Sequence, residues 1–160
     1  MQSHVIYLAG GCFWGVEEYF SRMAGVHDTE VGYANALCQV APRYEDVCSG
    51  ATDASEAVKV TFDDEMISLS TLLDAYFQII DPTLLNQQGN DRGTQYRTGI
   101  YYVNDEDLEI ILKHIEKEQA KLDQPIVTEI LPIKNFFAAE EYHQDYLKKN
   151  PSGYCHIKLD

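Results

Sequence analysis

Val5-Ile6-Tyr7-Leu8-Ala9-Gly10-Gly11-Cys12-Phe13-Trp14-Gly15 joins a short apolar run to the start of an amphipathic pattern, and the rest of the chain is read from it. The first five residues have the length and composition of a buried strand, which Gly10-Gly11 ends sharply. Beyond Cys12, the residues Val16, Tyr19, Phe20 and Met23 recur at helical spacing while Glu17, Glu18 and Arg22 take the other face. A helix is therefore predicted to begin near Phe13 or Trp14. Cys12 then occupies a strand-to-helix turn, near backbone N–H groups and the positive end of a helix dipole. That setting favours the thiolate, the form that attacks; at an ordinary thiol acidity only about 3 per cent would be ionised at pH 7. The alternative is a cysteine that fills a core beside Phe13 and Trp14, since cysteine is among the most buried residue types. Two glycines before it and one after favour the nucleophile, because they let the backbone bend tightly and a ligand come close.

At 160 residues and 45% hydrophobic content the chain suits one compact domain, residues 1–160, with an ordinary core. Acidic residues outnumber basic ones by 26 to 12, a formal charge of −14, which argues against nucleic acid and against anionic membrane surfaces as partners. No apolar run reaches the roughly 20 residues of a membrane span and no export signal opens the chain, so a cytoplasmic protein is expected. Cys12, Cys38, Cys48 and Cys155 form no Cys-x-x-Cys pair and no zinc spacing, so no metal site is expected. Without an export signal they read as reduced or catalytic thiols rather than a disulfide framework.

Further along, Thr29–Ala34 and Ser55–Phe62 read as strands, the second carrying Glu56 at its head. A helix is predicted from Ser70, with Leu72, Leu73, Tyr76, Phe77 and Ile80 inward, stopped by Asp81-Pro82. Leu84 to Tyr96 is polar, glycine-containing and long for an idle connection. Thr98–Val103 reads as a strand, Asp105–Leu122 as a helix with Leu108, Ile111, Leu112, Ile115 and Ala120 inward, and Val127–Leu131 as a last clear strand before a short helical stretch from Glu140 to Leu147. Four or five strands with three helices predict an α/β or α+β sandwich. Glu56 is either a partly shielded carboxyl able to donate a proton or a carboxylate reaching solvent from a strand edge. Tyr44, Asp91 and Tyr96 lie in loops and carry groups of the types a proton-assisted reaction needs, though tyrosine is abundant here, with 11 in the chain.

Taken together, Gly11-Cys12-Phe13-Trp14-Gly15, Gly32-Tyr33, Tyr44-Glu45-Asp46-Val47-Cys48-Ser49-Gly50, Glu56-Ala57-Val58, Gln88 to Arg97, Ala139 to Leu147 and Asn150 to Cys155 resemble the A-type peptide methionine sulfoxide reductase family over nearly the whole chain. The resemblance implies a ferredoxin-like two-layer sandwich with a mixed sheet, packed helices and an irregular C-terminal tail. It implies an enzyme that reduces the S epimer of methionine sulfoxide, free or in proteins, without a metal, flavin or nicotinamide cofactor. By motif position Cys12 is the nucleophile that becomes a sulfenic acid. Glu56 is the proton donor, and Tyr44 and Tyr96 hydrogen-bond to the sulfoxide oxygen. Phe13 and Trp14 enclose the S-methyl group, and Asp91 binds the substrate's backbone N–H. Cys155 is the recycling cysteine, its disulfide with Cys12 being reduced by thioredoxin or a similar dithiol. Cys48 is expected to be structural, Cys38 to be an alternative resolving thiol at most, and His143 a hydrogen-bonding group rather than a base. Two departures from the family pattern stand out. The loop from Ala34 to Arg43 lacks the usual Gly-Gly and Asn-Pro-Thr pieces, and Asp53-Ala54-Ser55 replaces Gly-His-Ala before Glu56, removing a histidine. The rival readings are a cysteine-dependent acyl transferase, for which no histidine stands in a partner motif, and a redox-sensing module that binds oxidised methionine without turning it over.

Overall fold

The computed structural model describes residues 3–35, 54–88 and 91–149; Cys38, Tyr44, Cys48 and Cys155 lie outside them, and of Asp91 only the backbone is described. The elements in order are β1 (Ser3–Ala9), α1 (Phe13–Ser21), β2 (Val26–Ala34), β3 (Ser55–Asp63), α2 (Leu69–Ile79), a short hairpin of β4 (Gln87–Gln88) and β5 (Asp91–Arg92), a 3-10 turn (Thr94–Tyr96), β6 (Gly99–Tyr102), α3 (Asp105–Gln119), β7 (Glu129–Pro132), β8 (Phe136–Ala138), a second 3-10 turn (Glu141–His143) and α4 (Tyr146–Lys149). Six strands form one sheet in the order β7-β6-β1-β3-β2-β8. The β6/β7 pair is parallel and every other pair in that sheet antiparallel, so the sheet is mixed, as expected.

The period of two along β3 sorts its side chains. Val58, Val60 and Phe62 join Ile6, Leu8 and Val31 in the main core, under Phe13, Val16 and Phe20 of α1, Leu72, Leu73 and Tyr76 of α2, and Ile111 of α3. Ala57 faces the other way, with Ala9, Ala34 and Tyr101. Glu56 is in phase with the valines, the one carboxyl among the apolar residues on the helix-bearing face of this strand. No helix among the described residues is long and apolar enough to cross a membrane.

Several expectations need correction. Helix α2 begins earlier than Ser70, because Ser68 is its cap: the Ser68 hydroxyl accepts from the Thr71 N–H at 3.1 Å. Leu112 of α3 is half exposed and Ala120 lies past the helix end, exposed; Asp107 and His114 point inward with Ile111 instead. The stretch from Glu140 to Leu147 is no continuous helix: it breaks at Asp145, whose φ of 51° is left-handed. Glu17 and Glu18 are buried, because the 140–149 segment folds over the face of α1 that carries them. Glu17 accepts from the Thr29 hydroxyl of β2 at 3.1 Å and from the Asp145 N–H at 2.7 Å. Glu18 accepts from Lys148 Nζ at 2.9 Å and from Arg22 Nε at 3.1 Å.

Burial first, and the neighbouring Asp145 charge, raise the Glu17 carboxyl from 4.5 to about 7, against the opposing pull of the Asp145 N–H, the Thr29 hydroxyl and Lys148. A carboxyl that holds its proton more tightly folded than unfolded makes the native state less stable as pH rises between those two values. The cost therefore begins near pH 4.5 and is complete above about pH 7. Glu17→Gln removes it. In urea unfolding the variant should gain on the wild type as pH is raised from about 5 to about 8, by up to about 3 kcal/mol; a pH-independent difference would show that Glu17 titrates normally.

Candidate active site

Cys12 is the N-cap of α1 and its own side chain caps nothing; the residue is 5% exposed. Reaching that position takes a tight turn. Gly11 has φ of 76°, and a Cβ on Gly10 would come 2.5 Å from Cγ2 of Ile80, so both glycines are required by geometry. The Gly11 N–H donates to the Tyr96 carbonyl at 3.1 Å, which ties the turn to the 3-10 turn beyond β5. Beneath it the Tyr76 hydroxyl donates to the Ala9 carbonyl at 2.5 Å and accepts from the Gly99 N–H at 3.1 Å, pinning the ends of β1 and β6 together.

The α1 N-terminus is capped from another strand. The Phe13 N–H donates to Oε1 of Glu56 at 3.3 Å, and Glu56 is wholly buried. This placement excludes the reading in which Glu56 reaches solvent from a strand edge. Because β3 lies between β1 and β2, its head is a sheet centre rather than an edge. Tyr33 is the register partner of Glu56 on β2, and the Phe13 and Tyr33 rings lie 5.9 Å apart, so acid, tyrosine and phenylalanine share one face. The Tyr33 hydroxyl donates to Oε1 of Glu140 at 2.9 Å. Burial, then the Glu140 carboxyl, push that hydroxyl well above the usual tyrosine range, so it remains a donor.

Trp14 stands at the rim. Its indole N–H donates to Nδ1 of His143 at 3.0 Å, and its ring stacks on Tyr146 with centroids 3.8 Å apart and planes 12° from parallel. His143 also lies 5.3 Å from Phe13 and 4.2 Å from Tyr142, centroid to centroid. An Nδ1 that accepts the indole proton carries none of its own, which fits the expected hydrogen-bonding role of His143. The structure thus brings Cys12, Phe13, Trp14, Glu56 and the Tyr96 backbone together, with the Tyr96 ring half-buried against the core. Tyr44 and Cys155 lie outside the described residues. Sequence reasoning gave Tyr33, Glu140 and Tyr146 no site role, although all three lie inside quoted motifs, Gly32-Tyr33 and Ala139 to Leu147.

A glycine turn presenting a buried thiol at a helix N-terminus, beside a buried carboxyl and an aromatic wall, has known counterparts. A profile of the family described as peptide methionine sulfoxide reductase matches residues 4–160. The peptide methionine sulfoxide reductase MsrA of Clostridium botulinum is 59% identical over 155 residues, 97% of this chain and 98% of that one. The chain belongs to the peptide methionine sulfoxide reductase family. Membership carries the family's activity with it, the reduction of methionine sulfoxide to methionine. The fold agrees with that of solved structures. Mxr1 from Saccharomyces cerevisiae in its reduced form gives a TM-score of 0.93 at 42% identity, covering 99% of this chain and 92% of that one. Mxr1 in complex with Trx2 gives 0.65 at 31% identity, covering 91% and 85%.

Trp14 is the single tryptophan, so tryptophan fluorescence reads this candidate site alone. Removing the acceptor of its N–H by His143→Ala should move the emission to longer wavelength as water reaches the indole. An unchanged emission maximum would mean that His143 does not hold Trp14 in solution.

Proposed function

We propose that Cys12 attacks the sulfur of an S-epimer methionine sulfoxide, free or within a protein, while Glu56 protonates the departing oxygen. The balance is one thiol and one sulfoxide giving one sulfenic acid and one thioether. The oxygen passes to Cys12; the sulfoxide sulfur gains two electrons and the Cys12 sulfur loses them. The observation that carries this reading is the buried carboxyl of Glu56, hydrogen-bonded to the N–H of the residue next to Cys12.

Burial of the whole Glu56 carboxyl favours its un-ionised form. That is the form a sulfoxide oxygen needs, because it leaves poorly until protonated. Cys12 feels the helix terminus, and a neutral Glu56 places no negative charge beside its thiolate to oppose ionisation.

Tyr96 and Tyr44 supply hydrogen bonds to the oxygen as charge builds there. The Phe13 and Trp14 rings enclose the S-methyl group and exclude water, and Asp91 receives the substrate's backbone N–H. Cys155 then condenses with the sulfenic acid, forming a disulfide and releasing water. A thioredoxin-like dithiol reduces that disulfide, as the likeness to a relative solved with Trx2 supports. All of this is the work of one domain, residues 1–160.

Single-turnover reduction of separated S and R epimers without reductant tests the reading. One equivalent of methionine from the S epimer alone is expected from wild type and from Cys155→Ser, with disulfide formed only in the wild type. Cys12→Ser should yield none, and Glu56→Gln should slow the step by about 10²- to 10⁴-fold. Binding of the sulfoxide with no methionine released from either epimer would refute it in favour of a binding module.

A further inference from the structure

One hydrogen-bonded network runs behind the site through side chains given no part in binding the substrate. Arg97 directly follows the 3-10 turn that ends in Tyr96, and its side chain is 12% exposed. Its Nη1 donates back to the Thr94 carbonyl at 2.8 Å, closing the turn, and its Nε donates to Oε1 of Glu129 on β7 at 2.7 Å. The same Glu129 oxygen accepts from the Tyr101 hydroxyl of β6 at 2.8 Å. The Tyr101 hydroxyl lies 3.0 Å from Oγ of Ser55, the residue before Glu56 on β3. At the other end, the Tyr96 carbonyl accepts the Gly11 N–H beside Cys12.

The chain of contacts therefore spans three strands, from the turn that carries Tyr96 to the strand head that carries Glu56. Burial keeps the Tyr101 hydroxyl protonated, so it remains a donor to Glu129 across the neutral range. Charge-assisted bonds of this length hold geometry better than apolar packing, and Arg97 makes two of its bonds from one planar group. A misplacement of about 1 Å at a reacting group can cost about 10²-fold in rate.

We propose that Arg97, Glu129 and Tyr101 are positioning residues that fix the separation between the Tyr96 hydroxyl and the Glu56 carboxyl, and so the fit of the sulfoxide oxygen between them. The inference rests on the oxygen-binding roles given above to Tyr96 and Glu56. Arg97 and Tyr101 act through Tyr96, and removing the Tyr96 hydroxyl should remove their effect.

The test is a double-mutant cycle on single-turnover reduction of free S-epimer methionine sulfoxide, with Arg97→Lys, Tyr101→Phe and Tyr96→Phe as the singles. Arg97→Lys and Tyr101→Phe should each lower the rate at saturating substrate about tenfold, leave the half-saturating concentration within about twofold, and leave Cys12 alkylation by iodoacetamide unchanged. In the Tyr96→Phe background the same substitutions should cost less than about twofold. Equal losses in both backgrounds, or no loss with Tyr96 intact, would overturn the positioning role. If Tyr96→Phe and Glu56→Gln themselves leave the rate intact, the failure lies with the oxygen-binding roles instead. Urea midpoints of the variants identify a loss that comes from unfolding, and Tyr101→Phe, which keeps the buried ring, carries the test if Arg97→Lys proves unstable.

Discussion

The hydrogen bond from the Phe13 N–H to the buried carboxyl of Glu56 joins the proposed nucleophile's helix to the proposed acid. Helix α1 starts at a cysteine whose side chain makes no capping hydrogen bond, and the first N–H groups of a helix find no acceptor within it. Glu56 supplies the acceptor from a strand 43 positions away. Capping and the proposed proton transfer thus draw on one carboxyl. Moving β3 by a single residue would turn Glu56 to the opposite face and put Ser55 or Ala57 under the helix, so the sheet register fixes the site.

The C-terminal segment is the second dependency. The side-chain amide of Gln144 pairs with both the N–H and the carbonyl of Val31 on β2, at 3.0 and 2.9 Å, in place of a further strand residue. Glu17 and Glu18 hold Asp145 and Lys148 against α1, and Glu140 receives the Tyr33 hydroxyl. These bonds bring His143 and Tyr146 onto Trp14, so the outer wall of the site joins two distant parts of the chain, His143 lying 129 positions from Trp14. A buried Glu17 is the cost of that closure: its carboxyl bonds the segment but is pushed towards neutrality by the same burial.

Local patterns made much of this legible. The strand ending at Gly10-Gly11, the helix from Phe13 and the inward stripe of α2 all follow from periods of two and 3.6 with their punctuation. Glu56 was readable as a carboxyl at the head of an apolar strand, but whether it is shielded or reaches solvent stayed open, because strand order β1-β3-β2 is a property of long-range pairing. Glu17 and Glu18 failed for a related reason. A helical period reveals one apolar face and cannot show that a distant segment will cover the other. Residues Phe136–Ala138 were too short a run to signal a strand, and Ser68 lost to Ser70 because a cap is decided by which hydroxyl meets the N–H of the third helical residue. The Arg97–Glu129–Tyr101 network carries no spacing signature at all, since its members come from three separate elements.

The central claim is that Glu56 holds its proton at neutral pH beside Cys12, and infrared difference spectroscopy measures it directly. Glu17→Gln protein is the right background, because Glu17 itself titrates at about 7. Comparing this protein at neutral pH with the same protein carrying Glu56→Gln should show the carbonyl stretch of one un-ionised carboxylic acid, lost in the second variant. A carboxylate band lost in its place would contradict the account, since an ionised Glu56 has no proton to give.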